Sequence, residues 1–258
     1  MAKSAADLKA AQSGIEALVE DIPLSKPRCN FCGGENFVVH MGREGEKCGK
    51  CHSLRRHRVA LEVYRRRGLL EKPETGKVVR VLHLAPEYLL RKAVINVVGG
   101  GYICSDPNPD NYGNAQCLKL FFPQDFKIFP DDYFDYIIHN HVLEHIPGLV
   151  KEILPEFTRI IKPWGYHIFS VPGPDMRILT EEGGEFLDSD EERLKRFGQE
   201  DHLRKFGYDF PDIMNALPNG TFSWDGLSVE DRRQLNVAPY SNRFMVWRKG
   251  RGKGLSPE

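Results

Sequence analysis

Four cysteines and a group of histidines are the side chains in this 258-residue chain whose spacing could do chemistry. Cys29-x2-Cys32 and Cys48-x2-Cys51 are separated by fifteen residues and sit in Cys-Asn-Phe-Cys-Gly-Gly and Cys-Gly-Lys-Cys. Thiolates so spaced can surround one Zn²⁺ tetrahedrally, with the glycines allowing tight knuckles; four sulfurs leave no open position, so such a metal is structural. Two disulfides, a redox pair or haem attachment at Cys48 to His52 are the competing readings, and the doubled motif weighs against them. The second group is His139, His141 and His145, with Asn140 and Glu144 between them, and His202 within residues 198–204. Imidazoles titrate near neutral pH, so these side chains could take up or deliver a proton.

These residues need elements to hold them. Asp131-Asp132 enters an apolar strand over 134–138, and the histidines follow at its end, where open α/β sheets place ligands. Apolar residues at 149, 150, 153, 154, 157, 160 and 161 predict a helix, with Pro155 causing a kink or a late start. Lys162-Pro163-Trp164-Gly165 stops that helix, and 166–171 reads as a second buried strand, completing a β-α-β unit. By alternation Ile137 and His139 share one face, Ile138 and Asn140 the other, and His141, Glu144 and His145 lie beyond the end. Upstream, 78–84 reads as a strand, Ala85-Pro86-Glu87 opens a helical segment, and the strand 102–105 ends in Asp106, nineteen residues past Glu87.

The apolar strand, the Leu-Glu-His loop and the Lys-Pro-x-Gly strand entry, in that order, with the acidic residue ending a strand upstream of them, resemble the class I S-adenosylmethionine-dependent methyltransferases. The resemblance implies an α/β, Rossmann-like seven-stranded and mostly parallel sheet with helices on both faces, beside a small N-terminal zinc ribbon. It implies S-adenosylmethionine as cofactor, with His83, Leu84, Ala85 and Glu87 at its methionine end and Asp106 at the ribose hydroxyls. Asn140, His141 and Glu144 would border the sulfur and the acceptor. The usual glycine-rich turn is here Ala85-Pro86-Glu87, similar to an "LH-APE" branch of the family; free N–H groups at that helix start could meet the cofactor carboxylate and Glu87 its ammonium. The family's acidic residue before the fourth strand is missing from 114–123, so Lys119 and Leu120 would serve the adenine through their backbone. The cofactor already activates the methyl group, so the protein must align an acceptor and remove a proton, with His141 or His202 as base.

Composition fits a soluble enzyme. Hydrophobic residues make up 41% and net charge is zero, with 36 basic and 36 acidic residues, so no global pull on nucleic acid or anionic membrane exists. No apolar stretch reaches membrane-spanning length and no signal-peptide core opens the chain, giving a cytoplasmic expectation. The chain divides into an N-terminal arm with amphipathic spacing over 1–25, a ribbon over 26–53, a linker helix over 54–75 with Ser53 as a possible N-cap, a catalytic domain over 76–250 with a last strand over 242–248, and a tail over 251–258. Cys104 and Cys117 read as buried small apolar residues. The basic excess over 43–67 is either a phosphate grip, for an RNA acceptor, or a helix face paired with the acidic stretch 181–192, and thin aromatic interleaving favours the latter. A small-molecule or glycan-type acceptor methylated on O or N, an RNA acceptor, and an inactive zinc-stabilised interaction protein are the three functional readings.

Overall fold

The structure, a computed structural model, describes residues 25–113, 116–173, 177–183 and 189–251. The amphipathic segment expected before residue 25 lies outside them. β1 (Phe37–His40) and β2 (Arg43–Cys48) pair antiparallel and carry the two cysteine knuckles. α1 (Arg55–Arg66) follows, with Val59, Ala60, Val63 and Tyr64 forming its buried stripe. Its N-cap is Leu54 rather than Ser53: Ser53 is buried, its Oγ lying 3.1 Å from Cys29 Sγ and 3.3 Å from Cys51 Sγ, so the hydroxyl serves the sulfurs instead of the helix.

β3 (Val81–Leu84), α2 (Tyr88–Val98), β4 (Tyr102–Asp106), β5 (Cys117–Lys119), β6 (Phe134–Asn140), α3 (Val150–Ile160) and β7 (Ile161–Ser170) succeed one another. Then come β8 (Glu181–Glu182), α4 (Asp190–Phe197), β9 (Arg204–Lys205), α5 (Phe210–Asn215), β10 (Gly220–Trp224), α6 (Val229–Gln234) and β11 (Met245–Lys249). Seven strands make one sheet in the order β10-β11-β7-β6-β3-β4-β5, parallel except that β11 runs against both its neighbours. The order reverses beside β3, and at such a switch point loops diverge and leave a crevice above the strand ends.

Alternation along the central strands feeds two cores. Leu82, Leu84 and Ile137 face α3 and its Ile153, Leu154 and Phe157, whereas Val81, Ile138 and Ile168 face α1 and α2 through Val63, Tyr64, Leu90 and Val94. The cysteine hairpin and the C-terminal end of the helix at 229–234 are fastened by Arg58, fully buried, whose guanidinium donates to Ser53 O (2.9 Å), Glu46 O (3.3 Å) and Leu235 O (2.7 Å). Pro155 lies inside α3 without delaying its start, and α3 passes directly into β7 at Ile161. The Lys-Pro-Trp-Gly segment is therefore a bulge within the strand, where pairing with β6 slips between Phe134 and Tyr136. Gly165 makes the bulge fit: a Cβ there would sit 2.8 Å from Asp135 O. Among the described residues, no helix is long and apolar enough to cross a membrane.

Candidate active site

The crevice at the ends of β3, β4 and β6 is a cavity of ≈ 780 Å³ whose walls include Ala85, Ser105, Asp106, Leu120, Phe121 and His141. Asp106 ends β4; its Oδ1 accepts from Asn108 N (2.7 Å) and its Oδ2 from Tyr112 Oη (2.8 Å). An ionised carboxylate has about four acceptor sites, so both oxygens can still receive hydroxyls. Leu120 is buried beside it, and Phe121, half of whose surface is exposed (50%), offers an aromatic face that no motif in the chain singles out. Ala85 turns the chain out of β3 with φ 44°, a left-handed conformation that a glycine holds without strain, and its N–H donates to Ser105 O (2.9 Å).

Glu87, N-cap of α2, is engaged on both oxygens. Oε1 accepts from Arg56 Nε (2.6 Å) and lies 2.8 Å from His57 Nε2, while Oε2 accepts from Asn140 Nδ2 (2.7 Å). Asn140 in turn accepts from Ser170 Oγ (3.3 Å), so one chain of polar contacts ties α1, the β3 turn, β6 and β7. The arginines of α1 thus find Glu87, Glu46, Glu62 and Asp231 rather than the acidic stretch 181–192, of which Glu181 meets Arg177 and Arg196, and Glu182 meets Arg204. Nothing in the pattern of α1 alone signalled that Arg56 and His57 reach the strand ends.

Burial raises the Glu87 carboxyl, but His57, Arg56 and Asn140 outweigh it and hold the group at about 2, below its ordinary 4.5. A carboxyl depressed on folding stabilises the fold above its unfolded value, and that contribution is lost as pH falls from about 4.5 through 2. Glu87→Gln is therefore expected to destabilise the protein near neutrality by on the order of 3 kcal/mol and to flatten the loss of stability below pH about 4.5. Urea denaturation at stepped pH measures this, and parallel curves for the two proteins would contradict it.

The histidines separate by environment. His139 is buried with its Nε2 2.9 Å from His167 Nε2, against Phe157 and Phe169. Burial lowers both imidazoles, His167 to about 3, so this is a neutral core pair and His139 is no candidate base. His83 is also buried, its Nδ1 2.8 Å from Tyr102 Oη, and burial lowers it to about 3; its side chain does not line the crevice. His141 differs: it sits just past β6 with φ 52°, its N–H donating to Ser170 O (2.9 Å), and its side chain is 43% exposed. Its Nδ1 lies 3.3 Å from Oε1 of Glu144, itself in the short 3-10 turn Leu143–His145. Arg204 fixes that turn by donating to the carbonyls of Leu143 and Gly148.

On its other side His141 meets a second cavity, of ≈ 490 Å³, walled by Arg56, Tyr208, Trp224, Tyr240 and Arg243. The Arg243 guanidinium lies 3.7 Å from the centre of the Trp224 ring. Among the residues lining the two cavities, His141 alone lines both. His202 lines neither; it is buried edge-on against His145, ring centres 4.8 Å apart. At the ribbon all four cysteine Sγ atoms lie within 4.8 Å of one another, with Cys29 to Cys51 at 3.5 Å and Cys32 to Cys48 at 3.6 Å.

A seven-stranded sheet with one reversed strand and a crevice at its switch point is the Rossmann-like architecture of the class I methyltransferases. Residues 102–169, from β4 through β7, match the family model described as "Methyltransferase domain". Among solved structures the chain is similar to a SAM-dependent methyltransferase from Archaeoglobus fulgidus, at 16% identity over 75% of this chain and 94% of that one, TM-score 0.46. It is likewise similar to the plantazolicin methyltransferase BpumL in complex with SAH, at 11% identity over 76% and 84%, TM-score 0.45. Phosphoethanolamine N-methyltransferase 2 of Haemonchus contortus, with S-adenosyl-L-methionine, aligns at 12% identity over 76% and 53%, TM-score 0.42. No curated protein matches the chain in sequence.

Proposed function

We propose that the protein transfers the methyl group of S-adenosylmethionine to an oxygen or nitrogen of a small-molecule or glycan-type acceptor. The observation that carries this reading is the position of His141, the one side chain that borders both the crevice beside Asp106 and the aromatic cavity beyond it. S-adenosylmethionine fits the crevice: Asp106 can accept both ribose hydroxyls, the backbone at Leu120 and the ring of Phe121 would meet the adenine, and the turn at Ala85 would border the methionine end. When bound, the cofactor supplies an electrophilic methyl. The chain's own residues do the rest: Trp224, Tyr240 and Arg243 hold the acceptor, and His141 takes its proton as the new bond forms. Glu87 and Asn140 act by holding α1 and β6 in register rather than by touching the acceptor.

The four thiolates support a structural Zn²⁺. A tetrahedral site with Zn–S of about 2.3 Å needs sulfurs about 3.8 Å apart, close to the 3.5 and 3.6 Å separations here, whereas a disulfide needs about 2.05 Å. The internal pairing of the α1 arginines speaks against an RNA grip, since Arg56, Arg65 and Arg66 already meet carboxylates and Arg58 is buried. Two assays test the reading. Small hydroxyl- or amine-bearing acceptors are expected to drive release of S-adenosylhomocysteine, and bulk RNA at low salt is expected to pass a filter unretained. Tight, salt-sensitive RNA retention with no turnover on small acceptors would overturn it.

A further inference from the structure

The His202 environment raises a question that methyl transfer leaves unanswered. Glu144 is buried, 1% exposed, and neither carboxylate oxygen has a hydrogen-bond donor among the described residues. Burying an ionised carboxylate without donors is strongly unfavourable unless a cation accompanies it. No lysine or arginine reaches its oxygens among the described contacts; what surrounds it is imidazole. One ligand atom each from Glu144, His145 and His202 lie within 4.8 Å of one another, and His141 Nδ1 stands 3.3 Å from Oε1.

The His145 ring is held in an orientation that leaves one nitrogen for coordination. His145 Nδ1 lies 3.1 Å from Asp201 O and 3.3 Å from Asp201 Oδ2, both acceptors, so Nδ1 carries the proton and Nε2 keeps its lone pair. The His202 ring is buried and packs edge-on against that of His145, with ring centres 4.8 Å apart. An imidazole tied through one nitrogen to a carbonyl or carboxylate, as His145 is, has the arrangement that orients metal-ligating histidines. Arg204 fastens the turn bearing Glu144 and His145 by donating to Leu143 O, while the Leu203 N–H donates to Glu144 O (2.8 Å), so both halves of the cluster are held together without a metal.

We infer that Glu144, His145 and His202 form a second metal site, for a divalent transition ion of the Zn²⁺, Mn²⁺ or Fe²⁺ kind, in the wall of the cofactor crevice. Two imidazole nitrogens and one carboxylate suit these ions and discriminate against Mg²⁺ and Ca²⁺, which take oxygen ligands. Bonds of about 2.1 Å place such ligands some 3 to 3.5 Å apart, so the three side chains close in on the ion by roughly an ångström. Three protein ligands leave the ion an open coordination position, unlike the four-thiolate ribbon. Because His145 lines the crevice, the ion stands within the site's own wall rather than in the ribbon.

Co²⁺ titration of metal-stripped full-length protein tests this without any turnover. Two equivalents are expected to bind, one with the thiolate charge-transfer band of the cysteine site and one without it. Glu144→Gln, isosteric and free of the buried charge, is expected to lose only the band-silent equivalent, as is His202→Asn. A wild-type protein that binds Co²⁺ solely with the thiolate band, or a band-silent equivalent that survives in both variants, would overturn the assignment. The wild-type stoichiometry decides even if a variant misfolds, and a missing thiolate band with the silent equivalent retained would count against the ribbon site alone.

Discussion

Cys48→Ser is expected to unfold the ribbon and to weaken S-adenosylhomocysteine binding at least tenfold, although Cys48 is far from the crevice in sequence. The hairpin of β1 and β2 has almost no core of its own: Val38, Val39 and Met41 are exposed, while Cys29 and Cys48 are buried. Bound by four thiolates, a Zn²⁺ would contribute about 10 to 16 kcal/mol to such a module, so losing one thiolate would remove most of what folds it. The consequence travels through Arg58, which needs the carbonyls of Glu46 and Ser53, and through its neighbours Arg56 and His57, which hold Glu87 against Asn140. Calorimetry on the variant and on wild type measures the loss. Unchanged affinity with the ribbon unfolded would show that ribbon and crevice are independent.

His141→Gln is expected to lower kcat by about 10² to 10⁴ while leaving S-adenosylhomocysteine affinity within about threefold. The side chain borders the crevice at its mouth, and glutamine fills similar space at the same left-handed backbone position without a nitrogen that can take the acceptor proton. A steady-state assay beside a binding assay separates the two effects. Retained kcat would remove the base, and a matching loss of affinity would instead make His141 a cofactor-positioning residue.

Much of this was legible because apolar period dictates elements and polar residues at strand ends mark the crevice. The helix over 149–161 and Asp106 at the close of β4 follow from that pattern within a residue of where they fold, while the strand read over 134–138 runs two residues further, to Asn140. His139 shows the limit: alternation placed it on the Ile137 face, yet only the packing of Phe157 and Phe169 reveals that this face is sealed. In sequence the β7 bulge looks like a helix stop, because Lys-Pro-Trp-Gly breaks a helix equally well when the strand has already begun. Contacts between distant segments, such as Arg56 with Glu87 or Trp224 with Arg243 in the second cavity, leave no local trace, since an exposed arginine and one that crosses the sheet look alike in sequence.

The central claim is that the crevice beside Asp106 holds S-adenosylmethionine, and calorimetric titration of S-adenosylhomocysteine into the folded chain tests it most directly. Wild-type protein is expected to bind one equivalent, and Asp106→Ala to bind about a hundredfold more weakly, the loss of two charge-assisted hydrogen bonds worth about 1.5 kcal/mol each. Folded wild-type protein that gives no binding heat at several temperatures, or Asp106→Ala with undiminished affinity, would contradict it.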